Sequence, residues 1–266
     1  MSIIITAVVS VTIIGIICAI ILNVASQLMF VKTDERITKL TEIMPGVNCG
    51  ACGYPGCSSY AEALVNDNVS AALCTPGGVE VLNKISELLG VEAGAIEQKT
   101  AVIKCAGDFN TRQQDKIYLG IQSCGGAHMH FGGDNSCVYG CLGYGDCQKV
   151  CPASAVYLKE GLAHINHGLC TGCSLCVKAC PKKLIAIEKS SIPVIIACSN
   201  TEKGAVTRKK CSSGCIACGK CVRECPVSAI SMENNLAIID YEKCNGCLNC
   251  VKSCVTKCIT SLPFHR

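Results

Sequence analysis

The sequence has no tryptophan and only four phenylalanines in 266 residues. Large aromatic side chains usually dominate a core, so something else must tie this chain together. Charge is missing from one end. No Asp, Glu, Lys or Arg precedes Lys32, and all 24 basic and 20 acidic residues lie beyond Val31. No Gly-x-Gly-x-x-Gly opens a helical pattern and no Walker A loop occurs, so the chain shows no cradle for a nicotinamide, flavin or nucleotide. The five histidines lack metal-ligand spacing, and His128 and His130, flanking a glycine-rich loop, read as solvated. No nucleophile and base stand in a recognisable pattern. What remains abundant is cysteine, 26 in all.

The uncharged end is apolar almost throughout from Ile3 to Leu22, and Leu28, Met29, Phe30 and Val31 extend it. About 20 such residues cross a bilayer as one helix. A basic leader and an Ala-x-Ala site are missing and the run is longer than a signal-peptide core, so it is expected to stay uncleaved. Lys32, Arg36 and Lys39 follow it. The positive-inside rule then makes this a single-pass protein of the cell membrane with the bulk of the chain cytoplasmic. Cytosolic thiols stay reduced, so the 25 cysteines after Cys18 are expected to be metal ligands or free thiols. The formal charge of +4 says little about partners. A [4Fe–4S]²⁺ core in four thiolates carries about −2, so five of them would bring the chain to roughly −6. Nucleic acid is not an expected partner.

From about residue 124 the chain repeats itself at an offset of 74. Cys137, Cys141, Cys147 and Cys151 map onto Cys211, Cys215, Cys221 and Cys225, and Cys170, Cys173, Cys176 and Cys180 onto Cys244, Cys247, Cys250 and Cys254. Pro152 and Pro226, Gly172 and Gly246, and Lys178 and Lys252 keep the same register. This is a duplicated module. Each copy carries a predicted β-hairpin, with turns at Glu160-Gly161 and Asn234-Asn235, and a short helix is expected after each cysteine run. Upstream, residues 58–69 and 77–89 read as helices, the second capped by Gly90.

The second module has Cys215-x2-Cys218-x2-Cys221-x3-Cys225-Pro226, then Cys244-x2-Cys247-x2-Cys250-x3-Cys254. This is the bacterial two-cluster ferredoxin signature, in which the fourth cysteine of each run ligates the other cluster. One cluster is thus expected on Cys215, Cys218, Cys221 and Cys254, the other on Cys244, Cys247, Cys250 and Cys225. Zinc sites need longer gaps between cysteine pairs. The first module departs from the pattern, because Tyr144 stands where a cysteine is due. One cluster is expected on Cys170, Cys173, Cys176 and Cys151. The other takes Cys141, Cys147 and Cys180, with Cys137 as fourth ligand and Cys124 as its substitute. A further set, Cys49, Cys52, Cys57 and Cys74, lies in and beyond the turn-rich stretch NCGACGYPGC, whose glycines let backbone N–H groups face sulfur. Cys105, Cys124, Cys198, Cys211 and Cys258 are left over. Four of them could hold a sixth cluster, or they could be buried thiols that pack as small hydrophobes.

The N-terminal helix, PGVNCGACGYPGCSSYAEAL with Cys74 downstream, and the ferredoxin repeats together resemble the B subunit of Rnf-type ion-translocating ferredoxin:NAD⁺ oxidoreductase complexes. The resemblance covers nearly the whole chain, and the doubled module is similar to the longer members of that family. It implies a membrane-anchored electron-transfer subunit of a translocase. Soluble ferredoxin would be its donor, membrane and soluble subunits of the same complex its partners, and at least five [4Fe–4S] clusters its cofactors. A membrane-tethered polyferredoxin serving a hydrogenase or corrinoid enzyme and a zinc-scaffold interaction protein are the alternatives. The expected fold class is a single N-terminal transmembrane helix followed by small α+β iron–sulfur domains with tandem dicluster ferredoxin-like modules. The expected divisions are 1–31 (helix), 32–90 (4Fe–4S domain), 91–123 (connecting segment), 124–195 and 196–266 (modules).

Overall fold

The structure is a computed structural model that describes residues 2–28, 34–130 and 132–262. The first helix, α1, runs from Ser2 to Leu28. Its stretch Val8–Ser26 is long and apolar enough to cross a membrane and packs against nothing in the described chain. The predicted extension through Met29, Phe30 and Val31, and the Lys32–Thr33 start of the charged stretch, lie outside the described residues.

Three helices form a small unit after it. Helix α2 (Glu35–Ile43) begins at Asp34, whose carboxylate accepts from the Arg36 backbone N–H at 2.9 Å and so satisfies a donor that the helix leaves unpaired. Helix α3 (Cys57–Asn66) begins where the Asn48 side chain accepts from Cys57 N–H at 2.8 Å. It stops short of the predicted end, since Asn68 is left-handed with φ 50°. Two 3-10 turns, Ala71–Leu73 and Thr75–Gly77, lead into α4 (Gly78–Leu89). Gly90 ends α4 as predicted, in the left-handed conformation that a Cβ disfavours. Leu40, Tyr60, Leu64, Leu82 and Ile85 make the core, with Cys74 among them.

The remainder is built from four two-stranded antiparallel ribbons. Strand β1 (Lys99–Ile103) arises within the stretch read as a connecting segment. Short helices α5 (Cys124–Met129) and α6 (Asp146–Lys149) follow, then the hairpin β2 (Val156–Lys159) and β3 (Leu162–Ile165). Next come α7 (Leu175–Ala179) and β4 (Ile185–Lys189). The second half runs β5 (Val194–Ile196), α8 (Gly204–Lys210), α9 (Lys220–Arg223), hairpin β6 (Ile230–Glu233) and β7 (Leu236–Ile239), α10 (Asn249–Ser253) and β8 (Ile259–Ser261). Both hairpin turns fall where predicted. Their central residues have positive φ, 50° and 69° at Glu160-Gly161 and 46° and 62° at Asn234-Asn235, as a tight right-twisting turn requires.

Pairing defines the modules. Strand β1 pairs with β4, Val102 facing Ala186, and β5 pairs with β8, Ile195 facing Thr260. Each module therefore opens with a strand that its own last strand closes. Residues 99–103 pair into the first module, and 194 and 195, placed by the repeat at the end of the first module, pair with 196 into the second. Gly172 shows how tightly the first ribbon meets a cysteine loop. Its φ is +70°, and a Cβ there would lie 2.8 Å from the Lys99 carbonyl oxygen.

Candidate iron–sulfur sites

The thiols gather in fours. In the first unit Cys49 and Cys74 are buried, and burial, followed by the neighbouring Cys57, Cys52 and Cys49, pushes the Cys74 thiol up. In the first module, burial beside Cys170, Cys173 and Cys151 pushes the Cys176 thiol up to about 11. The equivalent group in the second module holds Cys250 beside Cys244 and Cys247, with Cys225 packed in the same core. Backbone donors repeat as well. Ala155 N–H donates to Cys151 Sγ and Ala229 N–H to Cys225 Sγ, both at 3.3 Å and 74 residues apart.

A hollow is lined by Cys215, Cys218, Cys221 and Cys254, together with Cys258. Cys258 Sγ lies 3.6 Å from Cys254 Sγ and occupies the position of Leu184 in the first module. Hydrogen bonding to Cys258 draws the Cys254 thiol down to about 5 and the Cys215 thiol to about 6. Cys258 itself is pushed strongly up by its contacts with Cys215 and Cys254, so it is the thiol of the three that keeps its proton longest.

Two further hollows rearrange the irregular half of the first module. One is lined by Cys124, Cys141, Cys147 and Cys180, with Leu142, Ala163 and Ile185 as its apolar wall. Cys137 does not line it. Tyr144, in the repeat position of Cys218, does not line it either, and its hydroxyl donates to Asp134 at 2.9 Å. Cys124, at the start of α5, packs beside Tyr144 and Leu142. The other hollow is lined by Cys105, Cys137, Cys198 and Cys211. These come in two equivalent pairs. Cys137 and Cys211 are 74 residues apart; Cys105 and Cys198 each lie two residues past a module's opening strand. Cys141 N–H donates to Cys105 Sγ at 3.4 Å, and its repeat Cys215 N–H donates to Cys198 Sγ at 3.3 Å. The Asn200 amide donates to Cys137 Sγ at 3.6 Å. This group joins the two modules, and burial pushes the Cys105 thiol up to about 12.

The donor sets fit an iron–sulfur cube. No three His, Cys, Asp or Glu among the described residues converge closely enough to chelate a single metal ion. A tetrahedral zinc site needs such convergence, with each sulfur about 2.3 Å from the ion. A cube spreads its four sulfurs farther apart, and N–H groups aimed at sulfur are what its thiolates accept.

Comparison with known proteins agrees with this chemistry. Residues 44–76 match a family described as "Putative Fe-S cluster". Residues 169–230 and 214–258 match 4Fe-4S dicluster domains, the first spanning the join between the modules. Over 92% of its length the chain is 39% identical to the B subunit of the Na(+)-translocating ferredoxin:NAD(+) oxidoreductase complex of Acetobacterium woodii, covering 74% of that protein. It is 37% identical to the B subunit of the proton-translocating ferredoxin:NAD(+) oxidoreductase complex of Clostridium ljungdahlii, over 98% of this chain and 92% of that one. The chain belongs to the family of B subunits of ion-translocating oxidoreductase complexes. The B subunit of the ion-translocating oxidoreductase complex of Methanosarcina acetivorans is a third relative, 34% identical over 92% of the chain and 93% of its own length. As a member of this family, the chain carries multiple 4Fe–4S sites and one apolar helix suited to a membrane.

Proposed function

We propose that the chain is the membrane-anchored electron-relay subunit of an ion-translocating ferredoxin:NAD⁺ oxidoreductase complex, taking electrons from reduced ferredoxin and passing them to membrane partner subunits. Reversible one-electron transfer is the chemistry its clusters supply when bound. The chain's own residues hold the sulfurs, bury them and aim N–H groups at them. The family and its 4Fe–4S domains support the role, and the apolar helix supports the anchor. The basic residues Arg36 and Lys39 on its C-terminal side support a cytoplasmic location for the bulk of the chain.

Five ligand sets follow the grouping of the thiols: Cys49/Cys52/Cys57/Cys74, Cys124/Cys141/Cys147/Cys180, Cys151/Cys170/Cys173/Cys176, Cys215/Cys218/Cys221/Cys254 and Cys225/Cys244/Cys247/Cys250. Cys137 moves out of the set in which the spacing placed it. With Cys105, Cys198 and Cys211 it forms a sixth set between the modules. The single observation that carries this count is the hollow enclosed by those four cysteines, with a backbone or amide N–H donating to three of the four sulfurs. Anaerobic purification with iron and sulfide counting tests it. Six cubes give about 24 iron atoms per chain and five give about 20. Stoichiometric zinc and a colourless product would instead support a scaffold protein.

A further inference from the structure

One lysine ties the first unit to the first module. Lys178 Nζ donates to the carbonyl oxygen of Cys49 at 2.7 Å. A Cβ on the adjacent Gly50 would lie 3.3 Å from the same Nζ. Lys178 sits on α7 between Cys176 and Cys180, so the Cys49 loop lies against the helix that carries ligands of the first module. Cys173, in the cysteine loop before α7, is buried.

The second module repeats the receiving face 74 residues on. Lys252 on α10 repeats Lys178, Cys247 repeats Cys173, and Lys257 repeats Lys183, both left-handed at φ 56° and 52°. No described segment of the chain covers this copy. Lys252 and Lys257 are exposed and line one open hollow of about 450 Å³, with Val251, Cys254 and Thr260 in its walls. Cys247 and Cys218 are exposed, unlike Cys173. Lys220 and Arg223 on the packed neighbour α9 add two exposed cations, against a single exposed anion there, Glu224.

We propose that this uncovered face is the docking site for the cysteine loop of a soluble, acidic ferredoxin-type electron carrier. Lys252 holds it as Lys178 holds the Cys49 loop. The inference rests on the relay reading above. Two observations select the occupant. The equivalent lysine already donates to the backbone of a Cys-x2-Cys loop of this same chain, which shows what kind of segment it can hold. A loop wrapped on a four-thiolate cube carries net negative charge, and the face offers four exposed cations to one anion. Charges placed this way steer encounter and fix orientation. Exposed ligands Cys218 and Cys247 put both second-module sites within reach of a partner, whereas Cys173, the counterpart of Cys247, is buried.

The test uses the full chain in detergent, anaerobically, with a purified acidic two-cluster ferredoxin as probe. The double variant Lys252→Glu/Lys257→Glu is compared with Lys183→Glu, the exposed first-module counterpart. The double variant should weaken ferredoxin binding at least about tenfold at low ionic strength, and the difference should shrink as salt rises toward about 0.3 M. Its iron content and its reduction by dithionite should match the parent, and Lys183→Glu should bind normally. Unchanged binding of the double variant overturns the proposal, as does equal weakening by Lys183→Glu. Self-association of the parent chain lost in the double variant would also overturn it, by assigning the face to the Cys49 loop of a second copy. A parent chain that binds no ferredoxin would overturn the relay reading itself, whereas a parent that binds and a double variant that binds equally well overturn only the face.

Discussion

Removing Cys137 together with Cys141 asks whether the irregular half of the first module was reassembled correctly. The spacing puts both thiols on one cube; the structure puts Cys141 with Cys124, Cys147 and Cys180, and Cys137 with Cys105, Cys198 and Cys211. Each cube holds four iron atoms, so loss of one cube costs about four and loss of two costs about eight. If the thiols serve separate sites, the Ala variants are additive: about 20 iron atoms in each single variant and about 16 in the double, from about 24 in the parent. If they share a site, the double variant loses no more than either single. Cys124→Ala supplies the complementary arm. It should lose the same cluster signal as Cys141→Ala and leave the signal lost in Cys137→Ala intact. The assay is iron and sulfide counting on anaerobically purified chain, with EPR of the reduced protein to identify which signal disappears. A double variant that retains about 20 iron atoms, or a Cys124→Ala chain with its full complement, would refute the grouping.

Three further outcomes follow from the same geometry. Cys258→Ala should keep its iron. It should lower the midpoint potential of the Cys215/Cys218/Cys221/Cys254 site by roughly a few tens of millivolts, because one hydrogen bond to thiolate sulfur is lost; loss of about four iron atoms in redox titration samples would show Cys258 to be a ligand instead. Cys52→Ala should abolish transfer to the membrane partners while ferredoxin oxidation by the modules largely persists, and equal loss of both rates would show that the juxtamembrane site is not the exit. Burial pushes the Cys105 and Cys147 thiols up to about 12 and those of Cys176 and Cys221 to about 11, so the apo chain holds them protonated at neutral pH. Cluster insertion takes them as thiolates and releases those protons, so retention should strengthen as pH rises and weaken as it falls. Reconstitution in weak buffer should therefore acidify the medium, and an unchanged pH would contradict the assignment.

Much of the molecule was legible locally. A ferredoxin run encloses three ligands within seven residues, so its spacing is its chemistry, and the 74-residue repeat carried the assignment from one module to the next. The membrane helix was legible because an uncharged apolar run of that length has few other uses. The hairpins showed in their turn residues, Glu160-Gly161 and Asn234-Asn235, which accept positive φ.

The first module's departure was visible at Tyr144, but not its consequence. Nothing in a sequence of spacings says that α5 delivers Cys124 beside that tyrosine, because Cys124 is 17 residues before the next ligand of its site and follows no motif. Cys105 and Cys198 stood among the left-over cysteines, but their partnership was hidden for a related reason. They are equivalent through the strands that precede them, yet lie 93 residues apart, off the register of the repeat. Strand β1 also rose from a segment with little pattern of its own, since its partner β4 supplies the hydrogen bonds and the buried face.

The sequence by itself determined the cofactor class, the anchor and the ligands that neighbour one another along the chain, because a short peptide loop fixes where its own cysteines can point. Only the tertiary structure shows which distant thiols lie together and that four thiols from both modules line one hollow. The pairing of β1 with β4 and of β5 with β8 turns Cys105 and Cys198 toward a common hollow, and no local preference encodes that meeting.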